Sequence, residues 1–96
     1  MPDKQEKTSE DSDFQVERVQ IGARMEKRMV KVLKALAEYH DLSLGDLLEG
    51  IVLHAFENEA PFSEETLKRI GQLKEVYGMN YGVNASHHLK EPTLER

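Results

Sequence analysis

The 96-residue sequence predicts a mainly α-helical domain with a single N-terminal β-strand, and three observations carry that reading. Residues 17–25, ERVQIGARM, alternate strictly, with Val19, Ile21, Ala23 and Met25 in one row and Arg18, Gln20, Gly22 and Arg24 in the other, the period-2 pattern of a half-buried strand. Residues 26–40 and 44–57 then switch to apolar positions recurring every three or four residues, the helical period. No second stretch alternates in this way, so the strand has no partner inside the chain, and a lone strand leaves both edges unpaired.

The bulk composition narrows the setting. A chain of this length buries only about two-thirds or less of its unfolded surface, so a lone copy is marginal, and small proteins escape through disulfides, metals or oligomerisation. Cysteine is absent, which removes disulfides and thiolate metal sites. No apolar run approaches the ~18 residues of a membrane helix, and no signal peptide opens the chain. These features predict a soluble, cytoplasmic oligomer with no membrane partner. The formal net charge of −5 argues against a polyanionic partner at first sight. Its distribution argues otherwise. Residues 1–13 carry a net −3, whereas residues 17–34 set Arg18, Arg24, Lys27, Arg28, Lys31 and Lys34 against Glu17 and Glu26, a net +4.

In chain order, residues 1–13 are charged and hold no Val, Ile, Leu or aromatic residue. They cannot offset the entropy of ordering and read as a disordered acidic arm. A core domain over residues 14–58 opens with the strand, from about Phe14 to Arg24. The first helix, residues 26–40, places Met29, Val32, Leu33, Leu36, Ala37 and His40 on one face and Lys27, Arg28, Lys31, Lys34 and Glu38 on the other. Ser43 then reads as a helix cap, Asp46 as its capping-box partner, and Leu42 with Leu47 as a hydrophobic staple. The second helix, about residues 44–57, carries a stripe of Leu44, Leu47, Leu48, Ile51, Val52, Ala55 and Phe56. Gly45 and Gly50 inside it predict close packing or a need for bare backbone, since glycine costs about 1 kcal/mol relative to alanine in a helix interior. Residues 59–78 form an extension. Pro61 breaks the chain, Phe62-Ser63-Glu64-Glu65 repeats the staple and cap, and a third helix over about residues 64–77 should turn Leu67, Ile70, Leu73 and Val76 inward and stop at Gly78. Residues 79–96 read as a loop, or a weak strand at Met79 to Val83, with a mobile tail.

The unpaired strand finds its simplest partner in the same strand of a second copy. A two-fold axis brings the two together antiparallel. Their inner rows then cover the helices, giving an intertwined homodimer with a core of Val19, Ile21, Met29, Leu33, Leu36, Leu48, Ile51, Val52 and Phe56. The outer rows, Arg18, Gln20 and Arg24 from both chains, project from a two-stranded ribbon.

This order of strand, helix and helix, in RVQIGARMEKRMVKVLKALAEYHDLSLGDLLEGIVLHAF, resembles the ribbon-helix-helix (Arc/MetJ/CopG-like) family of DNA-binding proteins over about residues 15–57. The resemblance implies a transcriptional regulator, in the usual case a repressor, whose ribbon enters the major groove of double-stranded DNA as a dimer or a pair of dimers. A two-stranded ribbon fits that groove. By position, Arg18, Gln20 and Arg24 match the base-contacting residues, and arginine on guanine and glutamine on adenine are bidentate pairs. The family also grips phosphate with the amides opening its second helix, here at Ser43, Leu44 and Gly45, where free N–H groups and the helix dipole favour an anion. Lys27 and Arg28 stand beside the ribbon as further phosphate contacts. The chain departs from the family pattern at Asp41, where relatives often carry glycine, and at Met25-Glu26, where many carry proline; Glu17 and Glu26 flank the expected DNA face.

Two other functions fit the same residues. A dimeric interaction module that has lost DNA binding suits the acidic total. An antitoxin would use its C-terminal segment to hold a toxin, although a capped third helix also suits simple wrapping of the dimer core. The histidines at 40, 54, 87 and 88 lack a recognisable ligand spacing, so neither a metal nor another cofactor is expected. No nucleophile–base pair, phosphate loop or catalytic carboxylate cluster suggests an enzyme.

Overall fold

Each helix begins on a side chain that takes up free backbone amides and ends on a residue that reverses the chain. In the computed structural model, which describes residues 14–92, the helices are α1 (Lys27–Tyr39), α2 (Leu44–Phe56) and α3 (Glu64–Tyr77), followed by one 3-10 turn at Val83–Ala85. Ser43 Oγ accepts from the amide of Asp46 at 3.1 Å and Ser63 Oγ from that of Thr66 at 3.2 Å. The reciprocal half of the expected capping box does not form; the Asp46 carboxylate lies instead 4.0 Å from Arg18. The cap of α1 is Glu26, whose carboxylate accepts from the amides of Arg28 and Met29 at 3.1 and 3.2 Å.

The three C-termini share one solution. Asp41, Asn58 and Gly78 each have a left-handed backbone, with φ of 62°, 57° and 69°. After α1, the amides of Asp41 and Leu42 donate to Glu38 and Ala37; after α2, those of Asn58 and Glu59 donate to Ala55 and His54; after α3, those of Gly78 and Met79 donate to Glu75 and Lys74. These are the paired bonds of the Schellman motif. Aspartate and asparagine tolerate the left-handed region better than other L-residues, so Asp41 performs the turn without a glycine.

α1 is the central element, packed against both α3 and α2. Leu36, Ala37 and Leu47 form the buried cluster, with Leu33, Ile51, Phe62, Ile70 and Leu73 against it. The inward face of α3 corrects the expected one. Thr66 is buried and Ile70 and Leu73 pack inward, but Leu67 is 52% and Val76 71% exposed. The helix is rotated because the buried Thr66 hydroxyl is held by the Ser63 cap and by His40. The α2 stripe is covered on one side only. Leu47 is buried and Leu48 and Ile51 are half-buried, whereas Val52, Ala55 and Phe56 face outward.

Residues 14–26 carry no regular secondary structure in the single chain. A β-ladder needs a second strand to supply its bonds. At the other end, residues 79–85 dock as a loop without strand structure, with Met79, Tyr81 and Ala85 half-buried, and residues 86–92 are exposed. The acidic arm at 1–13 and the last residues of the tail, 93–96, lie outside the described residues. Among the described residues no helix is long and apolar enough to cross a membrane.

Candidate nucleic-acid interface

The candidate base-contacting residues lie on the exposed segment before α1, and two of the three are held by carboxylates. The Arg18 guanidinium meets Glu49 of α2 through two parallel bonds, Nε to Oε2 and Nη2 to Oε1, both 2.9 Å. This fork geometry is the strong form of the arginine–carboxylate contact. The hydrogen bond and the opposite charge push Arg18 up from its ordinary pKa and hold Glu49 below the usual carboxylate range. The pair is solvent-exposed, at 64% and 49% of side-chain surface, so water competes with it. Arg24 donates through Nη2 alone to Glu91 Oε2 of the C-terminal segment. Gln20 is exposed. A Cβ added at Gly22 would meet nothing within 4 Å, so this row offers an open surface between the arginines.

The Arg18 contact brings two candidate groups together. Its partners, Asp46 and Glu49, sit in the first two turns of α2, the helix whose start presents the Leu44 and Gly45 amides. The first amides of a helix have no carbonyl partner within it. The Ser43 hydroxyl takes one free amide, that of Asp46, and the amides of Leu44 and Gly45 have no carbonyl partner within the helix. The expected close packing at Gly45 and Gly50 is not found. A Cβ at Gly45 would touch only Ser43 Oγ at 4.0 Å, and one at Gly50 would meet nothing within 4 Å.

The second group lies where the arm enters α1. Lys27, Lys31 and Lys34 are exposed along one face. Arg28, expected beside phosphate, has a different task. Its guanidinium donates to Glu26 at 3.0 Å, to the Gly78 carbonyl at 2.8 Å and to Asn80 Oδ1 at 3.3 Å, and lies 5.5 Å from the centre of the Tyr81 ring. It ties the start of α1 to the end of α3. Tyr81 completes the tie, its hydroxyl donating to Glu26 Oε1 at 2.6 Å. The Tyr81 bond is the main cause of a Glu26 pKa lowered to about 2; burial opposes it, and the Arg28 and Met29 contacts add to it. Glu26 is therefore not a free charge beside the ribbon position. Sequence reasoning missed this network because glutamate is outside the usual capping set and nothing local links it to a tyrosine 55 positions away.

Of the expected dimer-core residues, Leu36 is already covered within its own chain, at 1% exposure, whereas Val19 and Ile21 stand 77% and 79% exposed and Phe56 80%. Met29, Leu33, Leu48 and Ile51 are half-buried and Val52 is 43% exposed. The histidines at the helix ends have local partners. His40 Nε2 lies 3.3 Å from Thr66 Oγ1, and His54 Nδ1 lies 2.7 Å from the Gly50 carbonyl. Among the described residues no group of three or more His, Asp or Glu side chains could hold a metal ion.

No protein-family model, curated protein or solved structure matches the chain.

Proposed function

We propose that this chain is a homodimeric ribbon-helix-helix regulator of transcription, acting as a repressor on double-stranded DNA in the cytoplasm. Residues 14–25 of two copies pair antiparallel and enter the major groove, with Arg18, Gln20 and Arg24 reading base edges. The Leu44 and Gly45 amides, with Ser43 and Lys27, hold flanking phosphates. One observation carries the reading: in a single chain the apolar row of an alternating segment, Val19 and Ile21, is more than three-quarters exposed. Its polar row is arginine-rich, and a capped helix start lies nearby. Paired as a ribbon, two such segments lay both apolar rows on the helices and expose their arginines together on the opposite face.

The contacts of Arg18 with Glu49 and of Arg24 with Glu91 favour a second reading, a dimeric interaction module whose arginines are neutralised from within. An electrophoretic shift with pooled random duplexes at ~50 mM salt separates the two, because phosphate contacts are strongest at low salt. The regulator retards DNA, and Glu49→Gln, which frees Arg18, binds more tightly than the parent. Absence of retardation by both proteins removes the DNA reading in favour of the module. An antitoxin role for residues 59–92 would instead be supported by a specific small protein that binds through that segment.

A further inference from the structure

The chain carries an apolar knob and an apolar hole that it cannot fit together by itself. The knob is the outer face of α2 near its end, where Phe56 is 80%, Leu53 64% and Val52 43% exposed. The hole is a cavity of about 510 Å³ between the helices and the C-terminal segment, lined by Leu33, Ile51, Phe62, Ile70, Tyr81 and Ala85 among others, with Lys74 and Ser86 also on its wall. Water fills about 30 Å³ per molecule in the liquid, so the space is large enough for several side chains. Voids of this size are rare in packed interiors, and this one is open to the outside and mostly apolar.

Geometry forbids α2 from filling the hole with its own knob. Ile51 on the wall and Phe56 on the knob belong to the same helix, and five residues turn an α-helix by about 140° beyond one full revolution while advancing about 7.5 Å. A rigid α2 cannot present both to one place. A second copy can, and an isologous pair satisfies each knob and each hole once. The areas are appropriate: an aromatic side chain buries roughly 150–250 Å², and Phe56 with Leu53, Val52 and the inner-row Val19 and Ile21 supplies a substantial part of the roughly 800 Å² per partner of a standard interface.

We infer that the cavity walled by residues 79–89 is a socket for the end of α2 from a second copy of this chain, with the partner's Phe56 as the inserted side chain. The inference rests on the dimer proposed above and assigns the C-terminal extension a part in it. α3 and the segment after it build the receiving wall. The clamp of Tyr81 and Arg28 on Glu26 holds that wall against the start of α1.

The chain has no tryptophan and no cysteine, so both probes can be introduced uniquely. Full-length Phe56→Trp is mixed with an excess of full-length Ser86→Cys carrying a nitroxide, a quencher that acts on contact, after helicity by circular dichroism shows that both variants fold. Mass is measured by analytical ultracentrifugation on the same samples. The expected result is twice the chain mass, a blue-shifted tryptophan in Phe56→Trp alone, and loss of most of its emission in the mixture. A dimer whose tryptophan emits as in water and is not quenched overturns the socket but leaves the dimer standing. A dimer with buried but unquenched tryptophan places Phe56 away from residue 86 and also overturns it. A single-chain mass overturns both the socket and the dimer. Should a variant not fold, the parent chain decides: hydrogen exchange that leaves the amides of residues 79–89 no slower at dimer-forming concentration than at high dilution overturns the socket.

Discussion

Glu26 shows how one residue changes meaning between sequence and structure. In the sequence it is an acid beside a surface expected to meet phosphate. In the structure it caps α1, accepts the Tyr81 hydroxyl and is partnered by Arg28. Its pKa, lowered from 4.5 to about 2, makes it a source of pH-dependent stability. A carboxyl whose folded pKa lies below its unfolded value contributes fully above the unfolded value and loses that contribution as pH falls through the folded one. The parent chain should therefore lose stability between about pH 4.5 and pH 2. Glu26→Gln should show a flatter profile there, measured by urea unfolding at a series of pH values. The parent's slope in the variant would show that other carboxylates, such as Glu49, carry the dependence.

At the level of the element, each helix is closed at both ends by a local device: Glu26, Ser43 and Ser63 at the starts, and Asp41, Asn58 and Gly78 after the ends. Local closure explains why the boundaries expected from pattern fall within a residue or so of those observed. Removal of one cap should be felt as a local loss. Ser43→Ala leaves the Asp46 amide without its 3.1 Å partner and should cost about 1 kcal/mol in urea unfolding, the usual effect of an N-cap truncation. It should also weaken DNA retardation if that end of α2 holds phosphate. The face of α3 was less legible. Leu67, Ile70, Leu73 and Val76 fit a helical period as well as Thr66, Ile70 and Leu73 do, and hydrophobicity favours the first set. What rotated the helix is a threonine whose hydroxyl meets two partners, Ser63 and His40. Satisfied polar burial of that kind leaves no trace in an apolar pattern.

The whole molecule is under-buried as one chain. Among the described residues Val32, Leu36, Ala37 and Leu47 are the buried hydrophobic ones, and of these Leu36 has less than 2% of its surface exposed. Against them stand Phe14, Ile21, Val19, Leu53 and Phe56, all more than 60% exposed. Contiguous exposed apolar surface marks an interaction site, and burial is the main favourable term in folding. If that surface closes by self-association, folding and assembly are linked, and stability depends on protein concentration. The midpoint of thermal unfolding should rise across a hundredfold increase in concentration, followed by circular dichroism. A midpoint independent of concentration, with a single-chain mass, would count against the dimer and against the paired strands it requires.

The linear order of residues was enough to determine three amphipathic helices, their caps at Ser43 and Ser63 and the stop at Gly78, because each depends on neighbours within a few positions and on the period of the apolar residues. It also singled out the alternating segment at 17–25 and the basic stretch around it. Only the tertiary structure decided which face of α3 turns inward and that Arg28 and Glu26 join a clamp with Tyr81. It alone showed that Arg18 and Arg24 rest on acids from distant parts of the chain, and that the C-terminal segment walls a cavity. The physical reason is range. Caps and periodicity act over one or two helical turns, whereas ion pairs, polar burial and cavities arise between residues that meet only after the helices have packed.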